Sequence, residues 1–135
     1  ESTGYGTGEG LCGWNCRHSF GPGDLRHNPY AQFDAEENKK AFDLSQKQRG
    51  KESRIRRTKT KLVGLRTAIE AAEDAGVKAT LEVQYTRTAK LLEKQNLDYN
   101  QFCEDNGLKR LSDRIQIAKW TREDARKSIA AARSK

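Results

Sequence analysis

The chain lacks methionine entirely, even at its first position, so we expect an excerpt or a processed product. No apolar run reaches the roughly 18 residues that a membrane-spanning helix needs, and no segment resembles a signal peptide. Hydrophobic residues make up only 34% of the chain and charged residues 33%, which disfavours a large globular core. Such a balance is typical of helical hairpins and coiled coils, which bury a narrow apolar seam.

Cysteine is also scarce, and its number excludes a disulfide framework. The chain has three cysteines, an odd number, with Cys12 and Cys16 close together and Cys103 far away. Free or metal-bound thiols in a reducing compartment fit this pattern better than disulfides do. Cys103 follows Phe102 within an apolar pattern, which indicates a small core residue.

Glycine, proline and aromatic residues divide the chain near Asp34. Residues 1–33 hold seven of the eleven glycines, both prolines and five of the ten aromatic residues. This composition is typical of loops and turns. We therefore interpret residues 1–33 as the Gly- and aromatic-rich end of a truncated upstream domain, and residues 34–135 as a helical region.

A first long helix is predicted over residues 34–75. Asp34 is a candidate N-cap with Glu37 three residues later, and Gly76 is a candidate stop. Three polar residues interrupt the apolar seam of this helix: Gln48, Lys51 and Thr58. The apolar residues of this seam are Ala41, Leu44, Ile55, Leu62, Leu65, Ile69 and Ala72.

A second long helix is predicted over residues 78–105, with Gly107 as its C-cap. The short connection around Gly76 makes the two helices antiparallel neighbours. The sequence therefore predicts a long antiparallel helical hairpin. The seam of the second helix consists of Leu81, Tyr85, Thr88, Leu92, Gln95, Tyr99 and Phe102.

One or two short helices are predicted after the hairpin. The apolar residues between Leu108 and Ile117 indicate a short helix or turn that packs on the hairpin end. Thr121 is a candidate N-cap for a last helix over 122–132, with Asp124 in its first turn. The predicted fold class is mainly α, with a Gly-rich, loop-like segment before the hairpin.

A cluster of cysteine and histidine is the most unusual chemical feature of the chain. Cys12, Cys16, His18 and His27 lie within sixteen positions, and thiolate with imidazole is a donor set that suits tetrahedral zinc. Their spacing is not one of the common zinc-finger spacings. The alternatives are therefore a zinc site and a small buried cysteine pair with a hydrogen-bonded His18.

Motifs for catalysis are missing from the chain. Cys16 and His18 lack a specified third group and an oxyanion hole, so we predict no catalytic residue. There is no Walker loop, and the glycines of residues 4–10 do not form a dinucleotide fingerprint. We predict no cofactor-binding residue either.

Positive charge is concentrated in residues 47–66, where nine Lys and Arg face a single acidic residue, Glu52. Lys47, Arg54 and Lys61 are seven apart and share one helix face. A stripe of this kind contacts phosphates without reading base sequence, or contacts an acidic protein surface. The alternative is an ordinary solvated helix face. The candidate contact residues are Lys47, Arg49, Lys51, Arg54, Arg56, Arg57, Lys59 and Lys61.

Three stretches of the chain resemble the phage minor capsid proteins, head-morphogenesis proteins of the phage Mu F type. Residues 1–20, ESTGYGTGEGLCGWNCRHSF, are similar to the end of that family's core domain. The pattern from Phe42 to Arg56 resembles an aromatic–Gln–Arg–Glu–Arg pattern of its helical extension. Tyr99-x2-Phe102-Cys103-x3-Gly107-Leu108 resembles the aromatic–Gly–Leu ending. The chain lacks the family's upstream His/Trp segment and carries Gly21-Pro-Gly-Asp-Leu25 in place of an aromatic–Pro continuation.

This resemblance implies a structural virion protein of the phage head, made in the host cytoplasm and placed near the portal. Its expected partners are portal or other capsid proteins, and DNA through its phosphates, with no membrane. The apolar seam offers a route to oligomers. Two other classes stay open: a small zinc-binding module that interacts with nucleic acid, which metal analysis would test, and a toxin-type catalytic domain.

Overall fold

The computed structural model describes residues 34–134, which contain three α-helices and one 3-10 turn. Helix α1 spans Ala35–Ala71, α2 spans Ala75–Asp105 and α3 spans Arg122–Arg133, and the 3-10 turn spans Asp113–Ile115. No strand occurs within these residues, and the predicted mainly α fold class is confirmed. None of the helices is long and apolar enough to cross a membrane.

The connection between α1 and α2 lies earlier than the sequence predicted and consists of residues 72–74. Helix α1 begins directly after Asp34 and ends at Ala71, four residues before its predicted end. The Asp74 side chain accepts a hydrogen bond from the Val77 amide at 2.8 Å and so caps α2. Gly76 therefore lies in the first turn of α2, and its prediction as a helix stop is wrong. An Asp side chain can satisfy the free amides of a helix start, and this N-cap preference outweighs the preference of glycine for a helix end.

The end of α2 has the predicted glycine cap. Gly107 adopts φ +60°, the left-handed conformation that glycine reaches without a steric penalty. The Leu108 amide donates to the Cys103 carbonyl at 2.8 Å, and the Gly107 amide donates to the Glu104 carbonyl at 3.2 Å. These two bonds form a Schellman motif, which reverses the chain so that it returns along the hairpin.

The core lies between the two long helices. Ile55 and Leu62 of α1 pack with Leu92, Tyr99 and Cys103 of α2 in one buried cluster. The predicted small core role of Cys103 is confirmed. Two polar residues that the sequence treated as interruptions of the seam are themselves buried, namely Gln48 and Thr58.

The segment after Gly107 covers one side of the hairpin. Helix α3 packs against α2, and the 3-10 turn packs against α1. Ile115 is buried in the hairpin core, and its carbonyl accepts a hydrogen bond from Lys59 near the middle of α1. The segment therefore lies along the hairpin rather than on its end, which corrects the predicted placement. The prediction of a last helix capped by Thr121 is confirmed.

Candidate interaction surface

The hairpin has one side that residues 108–134 cover and one side that they leave open. On the open side, Lys51 and Arg54 of α1 and Leu91, Lys94 and Asp98 of α2 line a shallow groove of about 270 Å³. Arg54 lies seven residues from both Lys47 and Lys61, so the three share one stripe of α1. Among residues 34–134, the segment after Gly107 leaves this side of the hairpin uncovered.

Five of the eight predicted contact residues are exposed, and none of these five forms an ion pair with another residue of 34–134. They project from the α1 surface into solvent, where their charges can meet a ligand. The five residues are Lys47, Arg49, Arg54, Arg57 and Lys61.

The other three predicted contact residues are engaged within the fold. The Lys51 ammonium lies 2.5 Å from an Asp98 carboxylate oxygen and 5.0 Å from the centre of the Phe102 ring. Arg56 donates to the Arg114 carbonyl, and Lys59 donates to the Ile115 carbonyl at 2.8 Å. Burial, and then repulsion from Arg110, lowers the pKa of Lys59. Helical spacing alone does not show that Arg56 and Lys59 meet carbonyls of the segment after Gly107.

The pattern of residues 47–66 gives no sign of the contribution of α2 to the open side. Lys94 lines the groove opposite Arg54, and Arg87 lies seven residues before Lys94 on the same stripe of α2. Both are exposed. The antiparallel pairing of the helices is the signal that could have revealed them. We call the following five residues the basic face: Lys47, Arg54 and Lys61 of α1 with Arg87 and Lys94 of α2.

A buried hydrogen-bond network around Tyr99 holds the returning segment on the covered side. The Tyr99 hydroxyl donates to Glu52 at 2.9 Å and accepts from Gln48 and from the Leu111 amide, each at 3.3 Å. Gln48 also donates to the Lys109 carbonyl at 3.1 Å. Burial raises the pKa of Tyr99, so the hydroxyl keeps its proton at neutral pH. The Glu52 side chain turns inward to this network and forms no ion pair with Arg56, one helical turn away.

A second anchor ties α3 to the hairpin through Asp124. Its carboxylate accepts from the Thr121 amide and hydroxyl, both at 2.9 Å, and pairs with Arg66 of α1. Burial opposes ionisation of Asp124, but the hydrogen bonds from Thr121 and Arg66 outweigh it, and the pKa of the carboxyl is lowered. The anchored segment thus occupies one side of the hairpin only.

The candidate zinc ligands Cys12, Cys16, His18 and His27 lie outside the described residues, so the zinc site stays a prediction. Within residues 34–134, no group of three or more His, Cys, Asp or Glu side chains could hold a metal ion. The division of the chain at residue 33 is likewise a prediction.

Comparison with protein families gives one match that spans most of the chain. A family model described as phage minor capsid protein 2 matches residues 1–94. The matched range contains the Gly-rich segment, all of α1 and α2 as far as Lys94, and therefore every residue of the basic face. Neither curated proteins nor solved structures gave a match.

Proposed function

Because the chain belongs to the phage minor capsid protein 2 family, we propose that it is a structural protein of the phage head whose basic face binds DNA phosphates. A structural role in a phage follows from the family, and the predicted resemblance to phage minor capsid proteins is confirmed. The proposal adds to that role a ligand and a surface. It assigns no catalytic residue.

The observation that carries the proposal is the basic face itself. Successive residues of the row Lys47, Arg54 and Lys61 lie about 10.5 Å apart, since seven residues rise 1.5 Å each. A duplex presents a phosphate charge about every 1.7 Å along its axis, so a row of long, flexible cations finds partners in many registers. Such contacts fix a protein on DNA without reading its sequence. That property suits a head protein that meets a whole packaged genome.

The arrangement of the aromatic residues favours duplex phosphates over unstacked bases. Single-strand binding relies on exposed aromatic rings between the cations. Phe102, the aromatic residue next to the groove, is partly buried and lies against the Lys51 ammonium. The basic face therefore offers positive charge for phosphates rather than aromatic rings on which bases could stack.

The same assignment gives the protein a location and further partners. A family of capsid proteins supports a virion location and capsid-protein partners. In our proposal the hairpin lies at the inner side of the head, near the portal, after assembly in the host cytoplasm. Its uncovered basic face then points to the DNA.

Two triple variants of equal charge test the DNA contact. The face variant carries Lys47→Gln, Arg54→Gln and Lys61→Gln. The control removes the same charge from exposed positions away from the face, as Lys78→Gln, Lys109→Gln and Arg126→Gln. Fluorescence anisotropy with a labelled duplex of about 20 base pairs, over a series of salt concentrations, measures affinity and its salt dependence.

We expect the face variant to bind about tenfold more weakly at low salt, and its slope of log affinity against log salt to flatten by about two to three units. The control variant should stay within about twofold of the parent chain. Equal losses of DNA affinity in both variants would show that net charge, and not the basic face, determines binding. An absence of salt-sensitive DNA binding by the parent chain would sink the proposal and leave an acidic capsid or portal surface as the candidate ligand.

A further inference from the structure

The covered side of the hairpin contains a second and larger groove. It has a volume of about 550 Å³ and lies between α2, the residues around the 3-10 turn, and α3. Leu92, Ile115 and Trp120 form its apolar floor. Leu97 and Ile129 on its walls are 64% and 48% exposed, and they extend the apolar surface of the floor. The groove thus offers apolar surface that residues 34–134 leave uncovered.

The charges around this groove are mostly positive. Arg110, Arg122 and Arg133 line it, with Glu93 as the acidic residue among its lining side chains. Glu93 is 3.8 Å from Arg133 and so offsets that one cation. Arg110 bonds to the neutral Asn96 side chain at 3.1 Å. Arg110 and Arg122 form no ion pair with another residue of 34–134, and the groove therefore complements an acidic ligand.

Lys59 supplies a buried cation at the floor of the groove. Its side chain lines the groove although the residue is only 7% exposed. The ammonium donates to the Ile115 carbonyl at 2.8 Å and lies 5.5 Å from the centre of the Trp120 ring. An ammonium has three N–H donors, and no carboxylate of residues 34–134 is within ion-pair distance of this one.

A buried charge without a counter-charge is energetically costly. The lowered pKa of Lys59, which arises from burial and from the neighbouring Arg110, reflects that cost. A carboxylate placed between Lys59 and Arg110 would reduce their mutual repulsion. It would also give Lys59 a counter-charge. The groove therefore combines an apolar floor with a buried cation that lacks a counter-charge within residues 34–134.

We propose that this groove binds an acidic amphipathic helix of a partner protein, with one carboxylate between Lys59 and Arg110 and apolar side chains on Leu92, Ile115 and Trp120. Helix-in-groove recognition uses this combination of apolar anchors and flanking charge. DNA fits the groove poorly, since phosphates and sugars offer nothing for an apolar floor. This inference does not rest on DNA binding, because the basic face and the groove lie on opposite sides of the hairpin.

A panel of designed peptides tests the proposal on the full chain. Each peptide has about 16 residues of Leu, Ala and Glu, with Leu at helical spacing and Glu in varied register, and each has a sister peptide with Gln in place of Glu. Nuclear magnetic resonance follows the indole N–H signal of Trp120, which the Trp120→Phe variant identifies. Fluorescence anisotropy gives the affinities.

At least one acidic peptide should bind and shift the Trp120 signal, and its Gln sister should bind about tenfold more weakly. Arg110→Gln with Arg122→Gln should weaken binding by about fivefold, whereas Arg49→Gln with Arg57→Gln, an equal loss of charge elsewhere, should leave it within about twofold. Both pairs change exposed side chains, and circular dichroism verifies their folding. In Lys59→Met the preference for Glu over Gln should be reduced.

Four outcomes would overturn the proposal. Equal affinity for the Glu and Gln peptides would remove the anion site. An unshifted Trp120 signal on binding would place the peptide elsewhere. No binding by any acidic peptide up to about 1 mM, or displacement of the peptide from Trp120 by duplex DNA, would reject the helix as the ligand. Loss of peptide binding leaves the DNA titration unaffected, so failure of one proposal is distinguishable from failure of the other.

Discussion

At the scale of single residues, the polar side chains inside the hairpin determine where the returning segment lies. Tyr99 is fully buried and Glu52 is 1% exposed, and both reach partners that a shorter or apolar side chain would miss. The Tyr99 hydroxyl also accepts from Gln48 and from the Leu111 amide, and so joins α1, α2 and the segment after Gly107. A buried network of this kind favours one arrangement of the three parts, because any other leaves its members without partners.

Tyr99→Phe should lower the free energy of unfolding by about 1–3 kcal/mol, because it removes the hydrogen-bond partner of the buried Glu52 carboxylate and of the part-buried Leu111 amide. Tyr85→Phe is the matched control, since Tyr85 is a tyrosine of the same helix whose hydroxyl makes no hydrogen bond within residues 34–134. Its effect should be below about 0.5 kcal/mol. Urea unfolding followed by circular dichroism measures both, and equal effects would argue against the network.

Asp124 makes the stability of α3 dependent on pH. Its pKa is lower in the folded chain than in the unfolded one, so its ionised form stabilises the fold above about pH 4, and this contribution is lost as the pH falls through the folded value. Asp124→Asn should therefore cost about 1–2 kcal/mol at pH 7 and much less at about pH 2.5. Urea unfolding at the two pH values measures the difference, which a pH-independent cost would contradict.

At the scale of the elements, glycine has opposite effects at two positions. Gly107 needs its left-handed conformation to end α2, whereas Gly64 lies inside α1 with no atom within 4 Å of the place where a Cβ would go. Gly107 is required by its backbone conformation. Gly64 weakens α1, and no close neighbour requires a glycine there. Composition alone does not separate the two cases.

Gly107→Ala should destabilise the chain by about 1–2 kcal/mol, since an L-residue is strained at φ +60°. Gly64→Ala should stabilise it by up to about 1 kcal/mol through the higher helix propensity of alanine. Thermal unfolding of the two variants beside the parent chain gives the signs directly. A Gly107→Ala variant as stable as the parent would mean that α2 ends in another way.

At the scale of the whole molecule, residues 108–134 separate two surfaces of different chemistry. By covering one side of the hairpin, they create the apolar groove there and leave the basic face open on the other side. They also supply carbonyl acceptors to Arg56 and Lys59 and a carboxylate partner to Arg66. The position of this segment thus decides which cations can meet a ligand.

A chain that ends at Gly107 should remain helical but melt at least about 10 °C lower, because the hairpin loses Ile115 from its core and the partners of Lys59 and Arg66. Its affinity for DNA should fall less than that of the face variant, since the basic face lies within α1 and α2 and the lost charges lie outside it. Circular dichroism and the DNA titration measure the two effects. Unchanged melting would show that the returning segment adds nothing to stability.

Helical periodicity and capping residues allow much of this fold to be predicted from the sequence, because they act over a few neighbouring positions. The caps at Thr121 and Gly107 and the short helix connection are of this local kind. Gly76 was mispredicted because the competing cap, Asp74, had to be weighed against it. The candidate site was predicted in part: Arg54 and its neighbours on α1 follow from spacing, whereas Lys94 requires the pairing of the two helices.

By itself, the sequence determined the helices, the positive charge of α1 and the family resemblance, since these depend on residue types and their spacing. Only the tertiary structure decided which polar residues are buried and which cations are free. The position of Gln48 on the seam does not show which partner it meets, and Lys59 carries no mark in the sequence that distinguishes it from Lys47 or Lys61. The roles of Gln48 and Lys59 depend on carbonyls of Lys109 and Ile115, more than fifty residues away, which the reversal at Gly107 brings into reach.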